Sequence, residues 1–204
     1  LFCINVILYR QFPFSAPDAP YEVAALVMTN HILFALIAAA IFESGRLIFR
    51  DLRFALLSVF ACISCSSYIV WAGTAKDHIL TSAIFALVIL FLIRYLYTDG
   101  WWNATIAFFF AGILIWIRPE IGIVVSGMLF LVYIANIFQG NARNSPTAEH
   151  ILVSVSSIAG LIVGAVPFFL NNLLLTGNFL TPVWVAPRPA IPIMNTTQQV
   201  TEIV

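Results

Sequence analysis

The chain has 204 residues, of which 62% are hydrophobic and 9% are charged, and its nine basic residues balance nine acidic ones. Soluble domains carry about 25% charged residues, so this composition excludes an ordinary soluble domain and indicates an integral membrane protein. A formal net charge of zero argues against a nucleic-acid partner. The three cysteines lie inside apolar segments, without disulfide or metal-site spacing.

The N-terminal part predicts an incomplete helix and then a loop. Residues 1–9 are apolar but only about half as long as a membrane span, so we interpret them as the end of an earlier helix. The chain is accordingly expected to be an internal fragment of a longer protein. Three prolines between positions 10 and 22 predict a loop there.

Six further apolar stretches predict an all-α, polytopic transmembrane bundle with about six full spans and one partial span. In chain order they are 23–42, 54–71, 79–97, 103–117, 121–138 and 151–170, with a basic connection at 43–53. Gly160-x-x-x-Gly164 in the last span favours close helix packing. Residues 10–170 form the predicted bundle, and residues 171–204 an irregular outer juxtamembrane strip and tail, in which Gly177 fits a helix C-cap.

Arg118-Pro119-Glu120 interrupts the apolar region between positions 103 and 138. A single helix over that region would be roughly 54 Å long, which exceeds a hydrocarbon core of about 30 Å. The proline also disfavours helical backbone at the residue before it. We therefore predict two helices that fold back at this triplet, as the apex of a hairpin.

Alternation of the predicted spans separates the basic residues onto two sides. Five arginines share one side, and Arg10, Lys76, Arg118 and Arg188 share the other; the five are Arg46, Arg50, Arg53, Arg94 and Arg143. The excess favours the first side as cytoplasmic. Lys76-Asp77-His78, the Arg118 apex and the strip after Asn171 then lie together on the non-cytoplasmic side.

These polar motifs fit chemistry on a lipid-linked phosphate. Taken alone, each is equally well explained as a helix-end charge pair solvated by headgroups. Taken together, arginine or lysine could neutralise a phosphate, and a carboxylate could act as a general base or hold a metal. Transfer of a sugar from a lipid phosphate needs both functions.

The order of the motifs resembles the GT-C superfamily of membrane glycosyltransferases, related to protein O-mannosyltransferases and the aminoarabinose transferase of lipid A. The resemblance covers roughly residues 15 to 185 and rests on three short segments: Trp71 to Asp77, Gly112 to Gly122, and Asn172 to Pro182. It implies a polyprenyl-phosphate sugar donor, a protein, lipid or glycan acceptor, inverting transfer on the outer face of the plasma (inner) membrane, and often a divalent cation such as Mg or Mn.

The resemblance also suggests roles for individual residues. Asp77 matches an acidic residue of the second outer loop and is a candidate catalytic residue and metal ligand. Arg118 and Glu120 match an apex near the lipid phosphate, where Glu120 is the second catalytic candidate. Lys76, His78, Arg118 and Asn172 are the candidate substrate-binding residues. The main catalytic aspartate of the family usually lies in the first outer loop, which would precede Leu1, so the fragment is expected to be inactive alone.

Two other functions compete with this one. A transporter or flippase of a lipid-linked or anionic substrate could use a broken helix with charges at its apex. A non-enzymatic membrane scaffold is the third alternative. Inverted internal repeats would favour the transporter, and the sequence has none that we recognise.

Overall fold

The structure is a computed structural model that describes residues 21–64, 78–98, 100–138, 147–177 and 179. Those residues form six helices and no strand: α1 (Tyr21–Phe49), α2 (Leu52–Ile63), α3 (His78–Thr98), α4 (Trp101–Ile117), α5 (Pro119–Phe138) and α6 (Thr147–Thr176). The predicted all-α class is confirmed. The chain divides into two compact units, Leu1–Phe168 and Phe169–Val204. The partial helix at 1–9, Lys76, Asp77 and the strip after position 180 lie outside the described residues.

Four helical segments are long and apolar enough to cross a membrane, judged by length and composition: Ala25–Phe49, His78–Thr98, Pro119–Asn136 and Ile151–Leu174. Two shorter apolar helices, Leu52–Ile63 and Trp101–Ile117, accompany them. A 17-residue helix such as α4 is about 26 Å long, slightly less than a hydrocarbon core of about 30 Å. The four long apolar helices are typical of a membrane protein. The total of six full spans stays a prediction.

The predicted connection at 43–53 is wrong, because α1 continues through most of it and ends at Phe49. Glu43 stays helical since it pairs with Arg46 three residues later, with N–O distances of 2.8 and 2.9 Å. The helix ends where Arg50 adopts a φ of 53°. Asp51 then caps α2, so the actual connection is two residues long.

The predicted end of the last span at Leu170 is also wrong, because α6 runs through Pro167 to Thr176. Asn172, one of the polar residues that favoured irregular structure in the sequence, is buried and donates a hydrogen bond from Nδ2 to the Phe179 carbonyl at 3.3 Å. The helix ends at Gly177, which has a φ of 72° and donates its N–H to the Leu173 carbonyl at 2.9 Å. This confirms Gly177 as the C-cap glycine.

Within the first compact unit, α3 is the central helix of the packing. It contacts α1 and α4, while α2 packs on α1, and α4 packs on α5. One buried cluster joins α3, α4 and α5 through Val88, Phe108, Leu114 and Leu129. A second joins α1, α2 and α3 and includes Cys62. Both clusters fix α3 relative to its neighbours and so position the two ends of that helix.

Glycines allow α4 and α6 to approach at backbone contact. A Cβ atom added at Gly160 would lie 2.6 Å from the Thr105 carbonyl oxygen, and one at Gly112 would lie 2.8 Å from the Ala165 nitrogen. A Cβ at Gly164 would collide with the Phe109 carbonyl. The packing role predicted for Gly160-x-x-x-Gly164 is therefore confirmed.

Candidate functional site

The hairpin apex lies at Arg118, as the sequence predicts. Helix α4 ends at Ile117, Arg118 is extended with φ −145° and ψ 92°, and α5 begins at Pro119. Proline suits this first helical position, because its missing N–H would have no partner inside the helix. The Arg118 N–H donates to the Leu114 carbonyl at 2.7 Å, so the reversal is tied to the end of α4.

A glycine allows the two arms of the hairpin to lie against each other. A Cβ atom on Gly122 would approach the Ile115 Cα to 2.6 Å and its backbone nitrogen more closely still. The Gly122 N–H donates to the Arg118 carbonyl at 2.9 Å. The backbone around Arg118 is thus held from both arms, which fixes the origin of its side chain.

The Arg118 side chain reaches the first residue of α3. Its Nη2 lies 3.4 Å from Nδ1 of His78, and both side chains are half-buried. A guanidinium can only donate, so Nδ1 of His78 is the acceptor of this bond. The prediction that His78 and Arg118 share one end of the bundle is confirmed.

Glu120 lies in the first turn of α5, two residues beyond Arg118, and is exposed. A carboxylate interacts favourably with the N-terminal end of a helix dipole. Among the residues that the structure describes, Glu120 makes no ion pair. Its predicted catalytic role stays a prediction, and its position leaves the carboxylate accessible at the same end as Arg118.

Asn172, the fourth candidate substrate-binding residue, belongs to the second compact unit. It is 2% exposed, and its amide holds the chain just beyond the Gly177 cap through the Phe179 carbonyl. This bond gives Asn172 a structural role inside its own unit. Its predicted contact with substrate remains untested.

The remaining two candidates, Lys76 and Asp77, lie outside the described residues. The described part contains no group of three or more His, Cys, Asp or Glu side chains that could hold a metal ion. The predicted metal ligand, Asp77, is not among these residues, so its role in binding a cation stays a prediction.

The opposite end of α3 has a different charge arrangement. Arg94, sixteen residues after His78 and so about 24 Å along the helix, donates from Nη2 to Oε1 of Glu43 at 3.1 Å. Glu43 also holds Arg46. The predicted separation of Arg118 from Arg46 and Arg94 is confirmed. The bridging role of Glu43 was missed, because only its spacing to Arg46 is visible in the sequence.

Comparisons with protein-family models, with curated proteins and with solved structures found no match to this chain. The resemblance to GT-C glycosyltransferases therefore stays a prediction from the sequence motifs.

Proposed function

We propose that the complete protein is an integral membrane glycosyltransferase that transfers a sugar from a polyprenyl phosphate to a protein, lipid or glycan acceptor at the non-cytoplasmic face. The observation that carries this proposal is the contact between Arg118 and His78 at the apex of the α4–α5 hairpin. It brings a cation and an imidazole together at the end of apolar helices, where the phosphate of a membrane lipid would lie.

The electrostatics of this end suit a departing phosphate. The N-terminal ends of α3 and α5 meet beside the Arg118–His78 contact, and helix N-termini carry partial positive charge. The C-terminal end of α4 contributes the opposite partial charge, so the guanidinium supplies the net positive charge. When a glycosidic bond to a phosphate breaks, negative charge develops on the phosphate oxygens, and an oriented cation stabilises that change.

Arginine suits this role better than lysine, because its planar fork matches two phosphate oxygens. Nδ1 of His78 accepts from Nη2 of Arg118 and so orients the guanidinium. The acceptor must also lose a proton during transfer, which requires a base. The resemblance places the main base in the first outer loop, and we assign a supporting catalytic role to Glu120 or Asp77. Glu120 follows Arg118 by two positions, and Asp77 precedes His78 by one.

Transport is the weaker proposal. Transporter substrate sites lie near the bilayer midplane, between discontinuous helices. The charged side chains with described contacts lie near helix ends instead: Arg118 beside the start of α3, and Arg94 in the last turns of that helix. This distribution supports chemistry at a membrane surface.

The test compares sugar transfer from a labelled polyprenyl phosphate by the complete protein and its variants in membranes. We expect Arg118→Ala to lower kcat/KM about 100-fold, a typical loss when one donor to a developing oxyanion is removed. Arg118→Lys should recover part of it, since the charge remains and the fork is lost. Arg53→Ala, which removes an exposed arginine of α2, is the matched control and should stay within about twofold of wild type.

The carboxylates need a separate measurement. Glu120→Gln and Asp77→Asn keep the side-chain size and remove the charge, so loss of turnover with unchanged donor binding would identify the carboxylate that acts in catalysis. Full activity of both variants would overturn the catalytic role of these two carboxylates. Full activity of Arg118→Ala, with normal amounts of folded protein, would overturn the proposed function.

A further inference from the structure

A second site candidate lies at the opposite end of α3, far from Arg118. An open cleft of about 190 Å³ is lined by Arg46, Leu47, Arg50, Tyr97 and Thr98. We call it the arginine cleft. A cavity of about 10–15 Å³ holds one water molecule, so a cleft of about 190 Å³ has room for a phosphate group. Two of its five lining side chains are guanidinium groups, which are the preferred protein ligands of phosphate.

Arg46 is held in a fixed orientation at this cleft. Its Nε and Nη2 donate to the two carboxylate oxygens of Glu43 at 2.8 and 2.9 Å. Glu43 also accepts from Arg94, so one carboxylate is shared by two guanidinium groups and a net positive charge remains. The Nη1 atom of Arg46 has no hydrogen-bond partner within the described part of the chain. The ion pair thus orients Arg46 and leaves one of its amino groups for a ligand.

Arg50 occupies a backbone position that usually holds glycine. Its φ is 53°, and its N–H donates to the Arg46 carbonyl at 3.0 Å, which ends α1. An L residue other than glycine is strained in this region, by roughly 1 kcal/mol or more. The Arg50 side chain is exposed and forms no ion pair with any described residue. The packing of Arg50 therefore does not explain an arginine at this strained position. Binding of a ligand in the cleft would explain it.

The charge and depth of the cleft indicate the ligand. Among the described residues, the turn and the adjacent helix ends carry four arginines and two carboxylates, a net charge of +2; they are Arg46, Arg50, Arg53, Arg94, Glu43 and Asp51. Asp99, which follows Thr98 in the sequence, lowers this sum to +1. Exposed apolar side chains flank the turn, including Phe49 at 54% and Leu52 at 58% exposure. Tyr97 is 50% exposed, and aromatic residues of this kind concentrate at the membrane interface. The cleft therefore lies at headgroup depth.

We propose that the arginine cleft binds a phosphate ester, supplied by the headgroup of an anionic phospholipid. Arg46 and Arg50 donate to the phosphate oxygens, and the exposed apolar residues beside the turn contact the acyl chains. The site is independent of the proposed transferase activity, because it lies at the other end of the helices from Arg118.

The test is a lipid titration of the purified complete protein in detergent, followed by native mass spectrometry. Phosphatidylglycerol and phosphatidylcholine are compared, and inorganic phosphate is added as a soluble competitor. Arg50→Gly is the main variant, because glycine tolerates the observed φ and removes the guanidinium without disturbing the end of α1. Arg53→Ala is the matched control, since it removes an equal charge from the same region but does not line the cleft.

We expect Arg50→Gly to weaken phosphatidylglycerol binding about tenfold, the usual effect of losing one charge-assisted hydrogen bond, and Arg53→Ala to change it less than threefold. Arg50→Lys should fall between wild type and Arg50→Gly. If phosphatidylglycerol shows no preference but inorganic phosphate binds with the same dependence on Arg50, the phosphate site is supported and the lipid source is overturned. Equal losses in Arg50→Gly and Arg53→Ala would indicate general surface charge and overturn the site.

Discussion

The contact between α4 and α6 gives the sharpest stability prediction. A Cβ atom at Gly160 would lie 2.6 Å from the Thr105 carbonyl oxygen, whereas real Cβ contacts essentially never fall below 3.0 Å. In Gly160→Ala the helices must separate by at least about 0.4 Å. Gly164→Ala requires a larger separation, because its Cβ collides with the Phe109 carbonyl and also comes within 3.0 Å of the Gly112 Cα.

The separation acts on a hydrogen bond in the same interface. Thr105 Oγ1 donates to Ser156 Oγ at 2.9 Å, and moving the helices apart lengthens that bond. Overpacking of this kind costs about 1–3 kcal/mol, and an interhelical hydrogen bond in a membrane contributes about 0.6 kcal/mol. We therefore expect Gly164→Ala to lower the free energy of unfolding by about 2–4 kcal/mol and Gly160→Ala by about half as much.

A matched control lies in α5. A Cβ atom at Gly127 meets nothing within 4 Å, so Gly127→Ala should keep or raise stability, by up to about 1 kcal/mol from helix propensity. The assay is unfolding of the purified protein in mixed micelles, by denaturing detergent or by heating. If Gly164→Ala is as stable as wild type, or if Gly127→Ala loses as much as Gly164→Ala, the backbone contact between α4 and α6 is refuted.

Three further predictions follow from other contacts. Glu43→Gln removes the ion pair between α1 and α3. Because the carboxylate is partly exposed, we expect the free energy of unfolding to fall by about 1 kcal/mol in the same assay. An unchanged value would mean that solvent fully screens the pair. Tyr133→Phe removes the 2.9 Å hydrogen bond between the buried Tyr133 hydroxyl and Ser154. The free energy of unfolding should fall by about 0.6–1.5 kcal/mol. An unchanged value would show that water replaces the hydroxyl. Cysteines introduced at Glu120 and at Arg53, in a protein without its native cysteines, should react with an impermeant maleimide from opposite sides of the membrane; labelling from one side would contradict the alternation of helix ends.

Fewer contacts in the structure support the proposed function than support the fold. Arg118 and His78 are forty positions apart in the sequence, and only the packing of α3 on α4 brings them to 3.4 Å. The sequence predicted that both lie at one end, since alternating spans leave no other arrangement. It gave no indication that they touch, or that His78 accepts the bond through Nδ1.

Local signals in the sequence were sufficient to predict the structure where only one local conformation is compatible with them. The apolar stretches required helices, because a membrane contains no water to satisfy the backbone. Arg118-Pro119 required a break, since the region around it is too long for one span. Gly177 indicated the C-cap of a helix, and Gly160-x-x-x-Gly164 indicated a closely packed neighbouring helix.

The tertiary structure decided what depends on hydrogen-bond partners outside the residue's own helix. Glu43 and Arg46 are charged residues that favoured a loop in the sequence, yet both are helical, and Glu43 contacts Arg94 of α3. Asn172 lies in a polar stretch that favoured irregular structure in the sequence, yet it is buried in a helix that continues to Thr176. In each case a polar side chain finds its hydrogen-bond partner elsewhere, and local propensity cannot account for such a partner. Composition therefore determined that the chain forms membrane helices, and packing between those helices determined which charges meet.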